Sequence, residues 1–235
     1  MEKYKDTIIR VKPIAEKFIR EKGLAHPLIN PLQTAADLGY YIIKSKAPDN
    51  LSGFYMKKDK FPFIFVNTSH SLGRQNFSLW HEVYHHYMNH NNGISDFNTK
   101  SIEEREAEIF AGCIMLPDEE IEKLAVHTMD TDYIAQISTQ YQMSFTAVVV
   151  RFMQEQHFSY EEYLELKKLS APENGAALNK IYEKQSLSAE ILHPSNNLVI
   201  SSNIMNILTD NYKDGKLSKH TLNEIIGRIE GLVNV

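Results

Sequence analysis

Between Ser71 and His90 the chain reads SLGRQNFSLWHEVYHHYMNH, and this stretch limits what the rest can fold into. Its apolar period is helical to about His90, where a polar loop, NNGISDFNTKS, breaks it. Inside it stands His81-Glu82-Val83-Tyr84-His85. On a helix, residues four apart lie about 40° apart around the axis and about 6 Å along it. Both imidazoles can therefore reach one Zn²⁺, while Glu82, beside the first of them, meets a water on that ion. Zinc lowers the pKa of such a water to about 7, and an adjacent carboxylate can take its proton during attack on an amide carbonyl. His86 and His90 have the same spacing. They are rotated about 100° from the first pair, and no Glu stands beside His86, so they read as supporting or surface histidines. Tyr84 is a candidate oxyanion stabiliser or a packing residue.

Two histidines do not complete a catalytic site, which ordinarily has three protein ligands and a water. The continuation HExxHxxGxxH fails here, because positions 88 and 91 hold Met88 and Asn91. The alternative is a Glu from a following helix. IEEREAEIFAGCIMLP offers Glu103, Glu104, Glu106 and Glu108, with an apolar stripe of Ala107, Phe110, Ala111 and Ile114 to pack on the first helix. Glu106 and Glu103 flank that stripe one turn apart, so either can face the metal. Glu104 lies farther around, and Glu108 is nearly opposite Glu106. A His/His/Glu set suits one Zn²⁺ per chain and is also compatible with Mn²⁺ or another divalent ion.

The rest of the chain reads as α+β. Residues 2–22 form an amphipathic helix with Ile8, Ile9, Val11, Ile14, Ala15, Phe18 and Ile19 inward, and NPLQTAADLGY a short capped one. Three β-like runs at 40–46, 51–58 and 61–67 suggest a small antiparallel sheet. After the Glu-bearing helix come another from DEEIEKLAVH and three short ones at 131–140, 144–156 and 159–169. SAPENGAA (170–177) is a linker candidate; beyond it NLVIS reads as a strand, and 203–213 with 218–232 as a helical pair. This divides the chain into a core at 1–128, a helix-turn-helix-like bundle at 129–170 and a mainly helical C-terminal region at 171–235. One cysteine, Cys113, excludes internal disulfides and Cys-rich zinc frameworks. No apolar run approaches a membrane span of about 20 residues, and the first residues lack a signal-like apolar core, so a cytoplasmic protein is expected. The formal net charge of −5, and six acidic against three basic side chains in 129–170, speak against direct nucleic-acid binding.

Over about residues 8 to 155 the sequence resembles the ImmA/IrrE metallopeptidases. GRQNFSLWHEVYHHYMNH is similar to that family's Arg-Gln-x-Phe-(Thr/Ser)-x-x-His-Glu-x-x-His segment, and EREAEIFAGCIMLP to its Glu-Ala-x-x-Phe-Ala-x-x-x-Leu-Met-Pro segment. The chain departs at Tyr84, where a Gly is common, and has Ile-Met-Leu-Pro for Leu-Leu-Met-Pro. The resemblance implies a zincin-like, gluzincin-type core with His81 and His85 as ligands, Glu82 as general base, and Glu106 as third ligand, Glu103 being the fallback. It also implies a protein substrate, a helix-turn-helix repressor whose cleavage relieves repression of mobile-element or stress genes. The competing reading is a non-catalytic, zinc-containing module that binds and regulates a transcription factor. Glu82 separates the two, since a structural metal site needs no base beside it.

Overall fold

The computed structural model describes residues 4–90, 93–95 and 101–231. Helix α1 (Tyr4–Lys22) buries Val11, Ala15 and Phe18, while Ile9, expected inward, is 62% exposed. In α2 (Pro31–Asp37) the Asn30 side chain accepts from the Gln33 amide as the N-cap, and the chain leaves through Gly39 at φ +96°. The strands are β1 (Tyr41–Ser45), β2 (Gly53–Lys58), β3 (Phe61–Asn67), β4 (Gly93–Ser95) and β5 (Val199–Ile200), in the order β4-β2-β3-β1-β5.

The α+β class holds, but the sheet is mixed rather than antiparallel. β2 and β3 form a hairpin across Asp59-Lys60, whereas β1 lies parallel to β3 on its far side. The 46–52 connection must therefore cross the end of β3 to reach β2. Buried Asn67 pins that crossing, donating to the carbonyls of Ala47, Pro48 and Leu51 and accepting from the Ala47 amide. The alternation of the three runs gave no sign of this order. In the expected polar loop, Gly93–Ser95 instead pairs with β2 as β4; residues 91, 92 and 96–100 lie outside the described residues.

Helix α3 (Leu72–Tyr87) lies between the sheet and α4 (Ile102–Met115), while α1 covers another side of α4. Phe18 of α1 meets Phe110 of α4 and Trp80 of α3 edge-on, with centroids 5.3 and 6.4 Å away, which locks the three helices together. Then come α5 (Asp118–Leu124), α6 (Thr131–Gln140), α7 (Phe145–Gln154) and α8 (Tyr160–Lys168). Arg151 of α7 is 1% exposed, and its guanidinium bonds the Leu116 carbonyl, Asp118, Gln154 and Glu155.

The expected linker is structured. Pro172–Asn174 makes a 3-10 turn and α9 (Gly175–Lys184) follows at once, burying Leu178 and Tyr182. The Tyr182 hydroxyl donates to Ser138 of α6 at 2.7 Å. A second 3-10 turn, Ala189–Leu192, packs on α3, and β5 adds an antiparallel edge strand beside β1. Helices α10 (Ser202–Lys213) and α11 (Lys219–Gly231) complete the described chain. No helix among the described residues is long and apolar enough to cross a membrane.

Candidate metal centre

Helix α3 is buried on nearly every side, so its polar residues must be held by other parts of the chain. Gly73 brings its first turn against the backbone of Met143 and Ser144, where an added Cβ would stand 2.5 Å from the Ser144 nitrogen. Gln75 donates to the His70 carbonyl and Asn76 to the Gln142 carbonyl. With its upper half fixed in this way, α3 presents His81 and His85 to α4. Their Nε2 atoms are 3.1 Å apart.

The carboxylate that joins them is Glu104. One of its oxygens is 3.0 Å from His81 Nε2 and the other 3.4 Å from His85 Nε2. Four donors around zinc at about 2.0–2.2 Å lie about 3.3–3.6 Å from one another in a tetrahedron. The observed separations, with a different Glu104 oxygen nearing each histidine, lie at or a few tenths of an ångström below that spacing, so His81, His85 and Glu104 form a cluster able to hold a zinc-sized cation. Burial raises the Glu104 carboxyl, but its hydrogen bonds to the two histidines outweigh this and hold it down at about 2. Burial lowers His81 despite the Glu104 contact. In His85, burial is outweighed by the hydrogen bond to Glu104 and by the charge of Glu82, which raises it.

Glu106 and Glu103, the ligands expected from the sequence, are not in this cluster. The Glu106 carboxylate accepts from the Tyr84 hydroxyl at 2.8 Å and pairs with Arg10 of α1. Glu103 is exposed. The difference has a physical origin. The apolar stripe of α4 fills the angle between α1 and α3, so Glu106 on one flank meets α1 and Glu104 on the other meets α3. A stripe taken to face α3 alone places the flanking residues wrongly.

Glu82 is 1% exposed, and its carboxylate lies against β2. Gly53 makes that room: a Cβ there would stand 3.5 Å from Glu82 Cγ and Oε1, and 2.8 Å from the Phe65 carbonyl oxygen. Tyr84 is fully buried, and burial pushes its phenol up to about 12, so it acts as a donor, committed to Glu106. His86 turns away, bonding the Tyr40 hydroxyl between the rings of Tyr40 and Tyr55. The histidine that supports the cluster is His90, whose Nδ1 is 2.9 Å from His85 Nδ1. Its i, i+5 offset from His85 lies off the helical face, and the turn at Asn89, φ +56°, brings it back.

A helix-borne His/His pair with a neighbouring Glu, met by a Glu from the next helix against a small sheet, has the layout of a zincin-like core and a donor set that could hold a metal ion. Residues 35–153 match the Peptidase_M78 family model, described as an IrrE N-terminal-like domain, and the chain belongs to that metallopeptidase-type family. The match takes in α3 and α4 whole and starts later than residue 8, where the sequence resemblance begins. A comparison with curated proteins finds no match.

Proposed function

We propose that this protein is a zinc-dependent endopeptidase in which His81, His85 and Glu104 hold the metal and Glu82 is the general base. The observation that carries this reading is the cluster of two Nε2 atoms and one carboxylate within 3.0–3.4 Å of each other, with the charge of Glu82 acting on His85. Zinc, when bound, supplies a Lewis acid that polarises the scissile carbonyl and acidifies the attacking water. Glu82 takes the proton of that water and delivers it to the departing amine. His90 orients the His85 ring through Nδ1, the atom left over when Nε2 points at a cation. The burial of Glu82 removes competing water and keeps the carboxylate in one place.

Family membership supports a protein substrate, and we take it to be a helix-turn-helix repressor, cut to relieve repression of mobile-element or stress genes. Helices α6 to α8 support contact with protein rather than DNA, because their acidic excess repels phosphate. The test is co-expression with the repressor encoded nearest the gene, comparing wild type with Glu82→Gln. A metal-dependent cut lost in the variant is the expected result. A cut that survives unchanged removes Glu82 from the mechanism, and metal-bound protein that binds the repressor without cutting it favours the non-catalytic module.

A further inference from the structure

Helices α3 and α4 run antiparallel past the metal cluster. Glu104 meets His81 and His85 at one end, and one to two turns further on Phe77 and Arg74 of α3 share a cavity of about 730 Å³ with Glu108 and Gly112 of α4. That volume is typical of a ligand-binding cleft. Ala147 and Val150 of α7 line the cavity, and so do Leu178, Ile191 and Leu192. Those last three lie beyond residue 153, so a part of the chain outside the family match builds one wall.

The charges around the cavity are unequal in their commitments. Arg151 reaches it, but its guanidinium is occupied by Leu116, Asp118, Gln154 and Glu155. Arg74 turns its head toward β2, donating to Ser52 Oγ at 2.9 Å. Glu108 is different: among the described residues no hydrogen bond or salt bridge is made to it, and it lies one helical turn from Glu104. One turn is about 5.4 Å, and an extended peptide advances about 3.3 Å per residue. A chain held at the metal therefore presents a side chain to this cavity one or two positions from the cleaved bond.

We infer that the cavity receives a large aliphatic or aromatic side chain of the substrate within two positions of the cleaved bond, with Glu108 on its metal-side rim selecting a neighbouring Lys or Arg; this rests on the peptidase reading of the adjacent site. The wall built by residues beyond 153 then sets which substrates this particular protein accepts.

The test uses the full, zinc-loaded chain and a mixture of decapeptides randomised around one central position, with cut sites read by mass spectrometry. The expected preference for Leu, Met or Phe over Gly and Asp is about tenfold or more, the discrimination a hydrophobic pocket gives for a few methylene groups. Ala147→Trp should shrink that preference, and Val150→Ala should move it toward Trp. Glu108→Lys should exchange a basic for an acidic neighbour. A second readout is fluorescence polarisation of a dansylated Leu-containing decapeptide on Glu82→Gln protein. Its binding should weaken several-fold when Ala147→Trp is added. Cleavage with no residue preference, or a preference and binding that survive both Ala147→Trp and Glu108→Lys, overturns the cavity assignment alone. Absence of any cut by zinc-loaded wild type overturns the peptidase reading and this assignment with it.

Discussion

Replacing Glu106 and Glu104 separately by alanine should have opposite effects on metal binding, because the two carboxylates do different work three ångströms from the same helix. Glu106 is 5% exposed and accepts from the fully buried Tyr84 hydroxyl. Glu106→Ala leaves that hydroxyl without an acceptor, which costs about 1–3 kcal/mol. The Arg10 side chain, 44% exposed, passes to water, so losing its ion pair adds little. In a chain of this size each kcal/mol lowers Tm by about 2–4 °C. A fall of about 2–12 °C is expected for the metal-free protein, with metal binding retained. Among the described residues, the Glu104 side chain bonds only the two histidines of the cluster. Glu104→Ala should also lower the metal-free melt, because the bonds to the two histidines that hold its carboxyl low are lost, and it should lower zinc affinity by more than the about 10–100-fold typical of outer partners. The assay is zinc content after dialysis together with thermal melts in excess chelator. Zinc lost from Glu106→Ala but kept by Glu104→Ala would refute the assignment.

Two further outcomes follow from the packing. Gly73→Ala places a Cβ 2.5 Å from the Ser144 nitrogen and 2.8 Å from the Met143 carbonyl carbon, both backbone atoms unable to swing aside. Overpacking of this kind costs about 1–3 kcal/mol, so a melt lowered by several degrees is expected, and an unchanged melt would show that the α3 contact is loose. Asp118 is raised by burial but lowered further by Lys12 and Arg151, which leaves it below the usual carboxylate range. A depressed folded-state pKa contributes stability that is present above the unfolded value of about 4 and lost as pH falls through the folded one. Urea unfolding should show wild type losing this contribution in strong acid and Asp118→Asn lacking that loss. Parallel pH profiles would contradict it.

Much of this was legible in the sequence because it depends on local spacing. The pair His81 and His85, the adjacent Glu82 and a Glu-bearing second helix follow from the helical period, and the end of α4 from Pro117. What was not legible depends on where third elements pack. α1 claims the Glu106 flank of α4 through Arg10, and that decision between two glutamates is made by a segment almost a hundred residues away. His90 joins His85 only through the reversed backbone at Asn89. The parallel β1–β3 pairing is fixed by Asn67, whose role lies in its contacts and not in its neighbours along the chain. The small residues of SAPENGAA suggested a linker, yet Leu178 and Tyr182 just beyond them carry the apolar stripe that anchors α9.

Anomalous diffraction at the zinc absorption edge, from crystals of the zinc-loaded full chain, would locate the metal among these side chains. One peak is expected about 2.0–2.2 Å from Nε2 of His81, Nε2 of His85 and a carboxylate oxygen of Glu104, with the Glu82 carboxylate beside it but not bound. A peak held by Glu106 or Glu103, or zinc coordinated directly by Glu82, would contradict it.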